Sequence, residues 1–156
     1  MKDWMDEGEG RCRCAVGRKW PGLKFALSKK PYDLMIFMSG TNDIGHGAKP
    51  ELIYENITQI VKASKETVPE MDVIVVGIPE SAFLCHNSAA MERRNLVNAK
   101  LKENPENLWT YADCPVKFQR TSGLFENDGL HFSPAGYQAF ASGILEKVYE
   151  TLSAKN

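Results

Sequence analysis

The chain has 156 residues, 43% of them hydrophobic and 25% charged, with 12 Gly and 8 Pro. That is the balance of one folded domain; it excludes a collagen-like repeat, a long coiled coil and a disordered tail. With 19 Lys and Arg against 20 Asp and Glu, the formal net charge is −1, so there is neither the basic footprint of a nucleic-acid binder nor a strong anionic field.

Residues 1–22 carry Gly8, Gly10, Gly17, Pro21 and Gly22 among charges, and read as an irregular or disordered segment. They contain no apolar stretch of the secretory kind, which points to a cytoplasmic setting. From Leu23 the element types alternate. Leu23–Lys30 reads as a short helix. Asp33–Met38 is a continuous apolar run closed by Ser39-Gly40, the mark of a strand buried on both faces. Pro50 to about Val68 places Ile53, Ile57, Ile60 and Val61 at helical spacing. Asp72–Ile78 is β-branched and apolar, a second buried strand stopped by Pro79. Ala89–Glu103 reads as helix, and Leu108–Asp113 as a third strand stopped by Pro115. Ser133-Pro134 supplies an N-cap and an N1 proline. Behind it Tyr137, Phe140, Ala141, Ile144, Leu145, Val148 and Leu152 form an apolar stripe.

Alternation of helices with continuous apolar strands predicts an α/β domain over 23–156, a parallel sheet covered on both faces. No apolar run approaches the about 20 residues of a bilayer span. The cysteines Cys12, Cys14, Cys85 and Cys114 are expected to be reduced thiols, since a domain this size needs no disulfide staples. Cys12-x-Cys14 and Cys85-His86 lack zinc-site spacing, so no metal is expected.

In parallel sheets of this kind the chemistry sits at the carboxyl ends of the strands. That rule selects Ser39–Gly47, Pro79–Ser88 and Cys114–Ser133, which hold all three histidines, His46, His86 and His131. In the first loop Gly40 lets the backbone turn sharply and approach a ligand. Asn42 offers a neutral carboxamide of the type that serves a developing oxyanion; Asn and Asp here also suit an Asx-type turn. In the last loop Asp128 and His131 stand three apart. An Asp can fix an imidazole tautomer and leave the far nitrogen as a general base, although a structural histidine beside a helix entry has the same spelling. An oxyanion donor and an oriented base on one rim make up most of an esterase site.

Gly40-Thr41-Asn42-Asp43 after a buried strand, with Asp128-Gly129-Leu130-His131 before the last helix, resembles the SGNH (GDSL-type) hydrolases. The resemblance covers roughly Leu23 to Leu152 in element order. It implies a three-layer α/β/α, flavodoxin-like fold, esterase activity on a small-molecule ester, and no metal or organic cofactor. It also implies Asn42 as the side-chain oxyanion donor, His131 as the base and Asp128 as the acid that orients it.

The family's nucleophilic serine lies in a Gly-Asp-Ser motif, and no Gly-Asp-Ser occurs in this sequence. The chain therefore reads as an SGNH domain lacking its first strands, with Gly10 of Gly8-Glu9-Gly10-Arg11 as the candidate remnant of the family's second oxyanion glycine. Its Asp33–Met38 strand is then expected to have an open apolar edge. Ser39 is expected to pack or cap and Ser133 to cap. Cys85 and Cys114 lie on the right rim for a Cys–His alternative, and His46 and His86 take no role. A pseudo-enzyme that keeps the pocket is the main competing reading. A flavin or nucleotide binder is disfavoured, because no Gly-rich phosphate loop follows a strand.

Overall fold

The computed structural model describes residues 20–29, 32–119 and 122–154. In chain order the elements are α1 (Trp20–Leu27), β1 (Leu34–Phe37), α2 (Thr41–Gly45), α3 (Pro50–Thr67), β2 (Asp72–Val76), α4 (Ala82–Cys85), α5 (Ser88–Glu103), β3 (Thr110–Ala112) and α6 (Pro134–Ser153). The three strands are parallel in the order β1-β2-β3. Leu34 pairs with Asp72 and Phe37 with Val75; Ile74 pairs with Thr110 and Val76 with Ala112.

Strand periodicity divides the core into two layers. Met35, Phe37, Val73 and Val75 point into one cluster with Ile53, Ile57 and Val61 of α3 and Val97 and Leu101 of α5. Ile74, Val76 and Ala112 point the other way, onto Phe132 and Ile144, with Phe140 and Val148 of α6 packed alongside. Helices thus cover both faces of the parallel sheet, the α/β/α arrangement anticipated from the alternation.

Several boundaries differ from the sequence reading, each for a physical reason. The first helix spans Trp20–Leu27 rather than Leu23–Lys30, because a proline is tolerated in a first helical turn. Apart from that start, the segment expected to be irregular over 1–22 lies outside the described residues, as do Gly10, Cys12 and Cys14. The second strand ends at Val76, because the backbone of Ile78 bonds to the Asn98 side chain instead of a neighbouring strand. The third strand begins at Thr110. Asn104, the left-handed cap of α5 (φ 36°), draws Leu108 and Trp109 out of the ladder by accepting from the Leu108 N–H (3.0 Å) and donating to the Trp109 carbonyl (2.6 Å).

The expectation that the first strand is buried on both faces is corrected for one residue. Ile36 is 43% exposed, whereas Val73 to Val76 of the middle strand are at most 2% exposed. Helix α6 contacts β2 and β3, and its cover does not extend over Ile36. Among the described residues no strand pairs with the outer side of β1. The apolar stripe of α6 is corrected likewise. Ile144 is buried and Phe140 and Val148 pack against the core, but Tyr137, Leu145 and Leu152 are exposed. A narrow sheet offers contact to fewer helix faces than the stripe supplies.

Candidate active site

The carboxyl end of β1 leads into Ser39 and then Gly40, whose φ of 121° lies in the region that favours glycine. A Cβ there would also lie 2.7 Å from Ile78 Cδ1 and 3.2 Å from Ile53 Cγ2. Only a glycine can therefore make this turn flush against the core. The turn opens α2, a single helical turn that buries Asp43 and Ile44 and leaves Asn42 exposed. The carboxamide of Asn42 makes no hydrogen bond among the described residues. Its backbone carbonyl is engaged, accepting from the His46 N–H (2.9 Å) and from His46 Nδ1–H (2.6 Å). The turn is fixed while its side-chain donors stay available.

The second half of the site is a tight turn after the last strand. Asp128 Oδ1 accepts from the N–H groups of Leu130 (2.9 Å) and His131 (3.0 Å). Oδ2 accepts from His131 Nδ1–H (2.6 Å). The His131 bond and the two backbone donors hold the Asp128 carboxyl well below its ordinary value, at about 2. The carboxylate is therefore ionised at neutral pH, and a 2.6 Å contact with it requires the proton on Nδ1. In the neutral imidazole the lone pair is then on Nε2. Gly129, with φ 64°, closes the turn and docks it on α4, where the Ala82 N–H donates to the Gly129 carbonyl (2.9 Å).

Behind the turn, Phe125, Phe132 and Tyr137 stack edge to face, with centroids 5.2 Å and 5.6 Å apart. Ser133 caps α6 as expected, accepting from the Gly136 N–H (3.1 Å) and donating to the Gly123 carbonyl (2.6 Å).

The two loops meet. Gly40, Asn42 and His131 line one open cleft of about 260 Å³, while Asp128 stands behind His131 and does not line it. The cleft walls also include Met38, Pro79, Leu130, Phe132 and Tyr137, which the sequence reading did not single out. Pro79 was within reach of the strand-end rule. Tyr137 was hidden by its helical spacing, which assigned it to the core.

Ser39 is buried on the cleft wall; α2 has Gly40, not Ser39, at its cap position. Cys85 and Cys114 line no part of the cleft. Burial pushes the Cys114 thiol up, and burial together with Glu80 does the same at Cys85, which opposes formation of a nucleophilic thiolate. His86 is exposed at the end of α4. Among the described residues no group of His, Cys, Asp and Glu side chains could hold a metal ion, and no helix is long and apolar enough to cross a membrane.

The model of the GDSL-like lipase/acylhydrolase family matches residues 11–139. The chain belongs to that family. No curated protein matches the sequence, but solved structures share the fold. A carbohydrate esterase family 3 protein from Talaromyces cellulolyticus is 21% identical; the match covers 89% of this chain and 68% of that one, with a TM-score of 0.64. A GDSL-like lipase from Bacteroides thetaiotaomicron is 16% identical over 86% of this chain and 69% of its own, with a TM-score of 0.62. A lipolytic G-D-S-L family protein from Veillonella parvula is 17% identical over 85% and 74%, with a TM-score of 0.65. At these identities the likeness speaks for the fold.

Proposed function

We propose that residues 23–156 form an acyl-ester hydrolase domain of the SGNH type, acting on a small-molecule ester, with Asn42, Asp128 and His131 as its site residues. The observation that carries this reading is the shared cleft: an unengaged carboxamide and an imidazole with a free Nε2 line the same cavity. The family's chemistry is acyl transfer, and each group suits one step of it.

A serine Oγ attacks the ester carbonyl while His131 Nε2 takes its proton. The ionised Asp128 stabilises the imidazolium so formed. The Asn42 N–H donors hold the developing oxyanion, with Gly40 letting the backbone approach the substrate. His131 then returns the proton to the departing alcohol, and water repeats the sequence on the acyl group. No metal or organic cofactor takes part.

The serine is not among these 156 residues in a Gly-Asp-Ser context, and that observation favours a second reading. In it, the domain keeps its cleft as a catalytically inactive binding module, or acts only with a nucleophile that these residues do not supply. Hydrolysis of a short-chain aryl ester separates the two. As a hydrolase, the chain exceeds buffer, and His131→Ala loses at least about 10²-fold of the rate, the scale of general-base catalysis. Equal rates in both proteins would remove His131 from the mechanism. Ester binding without turnover would favour the module.

A further inference from the structure

We infer that Asn98 and Arg94 on α5 are positioning residues for the Asn42 amide, acting through the backbone of Ile78 and the turn at Gly40. The inference rests on the reading of Asn42 as an oxyanion donor. Ile78 lies two residues beyond the end of β2, where no strand partner serves its backbone. The carboxamide of Asn98 takes the partner's place. Its Oδ1 accepts from the Ile78 N–H (2.8 Å) and its Nδ2 donates to the Ile78 carbonyl (3.0 Å). Arg94 Nε donates to the same carbonyl (2.8 Å).

A carboxamide suits this position because it carries a donor and an acceptor in one plane. Asp lacks the donor, and an apolar residue would leave a buried N–H unpaired. The clamp also explains Gly77: a Cβ there would lie 2.5 Å from the Tyr111 hydroxyl and 3.3 Å from Asn98 Nδ2.

The clamped residue forms the seat of the oxyanion turn. The Ile78 side chain is fully buried, and Gly40 lies so close to it that a Cβ would clash. The Gly40 carbonyl accepts from the Ile44 N–H (3.0 Å) to start α2, and Arg93, next to Arg94, donates to the Ile44 carbonyl (3.3 Å). Asn42 sits between these two anchors. Pro79, the residue after Ile78, lines the same cleft. A shift of Ile78 therefore moves the oxyanion turn and one cleft wall together, while the Asp128–His131 turn keeps its own internal bonds.

The experiment is amide NMR on the full chain, with the Asn42 side-chain signals identified by their loss in Asn42→Ala. In Asn98→Leu the Ile78 amide should exchange at least about ten-fold faster, the scale of one lost buried hydrogen bond. The Gly40 backbone and Asn42 side-chain signals should shift, and those of Asp128 to His131 should stay. Unmoved Gly40 and Asn42 signals would overturn the inference, as would equal shifts at both loops, which would report general loosening. If Asn98→Leu does not fold, Arg94→Met, which removes the bond to the Ile78 carbonyl together with those to Asn95 and Glu80, is read by the same Gly40 and Asn42 signals. The spectra need no turnover, so a chain that hydrolyses no ester sinks the proposed function and leaves this question to the spectra. With turnover, Asn98→Leu lowers kcat with little change in KM and adds no further loss on Asn42→Ala; a fully additive loss counts against the link.

Discussion

The two turns that frame the cleft are built in opposite ways. The Asp128–His131 turn is exposed and holds itself together: one carboxylate accepts two backbone N–H groups and the imidazole of the same four residues. The Gly40–Asn42 turn bonds onward into α2 through the Gly40 and Asn42 carbonyls, and it is also seated on Ile53 and Ile78 in the core. His131 is therefore oriented within its own turn, and Asn42 in addition by the packing of its turn on the core. Damage to packing should reach the two halves of the site unequally.

The largest effect should come from filling the space under the Gly40–Asn42 turn. Gly40→Val meets a φ of 121° and a Cδ1 atom 2.7 Å from its own Cβ. Backbone strain and overpacking together should cost about 4 kcal/mol of stability, read as a lower midpoint in urea unfolding. A loss under about 1 kcal/mol would show that the turn is not seated on Ile78 at all.

The same contrast decides what the sequence disclosed. The Asp128–His131 contact spans three residues, so its spelling was nearly its geometry. The convergence of Asn42 and His131 on one cleft was legible only through the strand-end rule, which requires the strands to be recognised first. Their apolar runs supplied that. The runs did not show where the strands stop, because apolar character continues through Ile78 and Leu108 while their backbones turn to Asn98 and Asn104. The one-turn helices Thr41–Gly45 and Ala82–Cys85 are too short for a 3.6-residue period to register. Tyr137 and Ile36 were misjudged for a different reason: periodicity reports which residues share a face, not how far the opposing layer extends.

A smaller effect tests the self-contained turn where it touches the rest of the molecule. Gly129→Ala combines a φ of 64° with a Cβ 2.4 Å from that of Ala82, and should cost about 2 kcal/mol. Gly123→Ala is the control, since φ is 63° there but nothing lies within 4 Å; backbone strain alone should cost about 1 kcal/mol. Equal losses in the two variants would mean that the Asp128–His131 turn does not depend on its seat against α4. The turn would then be more independent of the fold than its bond to Ala82 implies.

The smallest effect isolates the internal bonds of that turn. Folding lowers the Asp128 carboxyl from 3.8 to about 2, so between those values the folded chain binds fewer protons at this site than the unfolded chain. The resulting stabilisation is complete above the ordinary value and disappears as pH falls through the folded one. Unfolding free energy should therefore decline more steeply from about pH 4 to about pH 2 in the wild type than in Asp128→Asn. The difference will be slight, since both partners face solvent and exposed ion pairs contribute little. Much of the bonding is to backbone N–H groups, so the slope should survive added salt better than a bare ion pair would. Parallel curves for the two proteins would mean that the carboxylate is not held by its own turn. The orientation of His131 would then have to come from the surrounding fold, as that of Asn42 does.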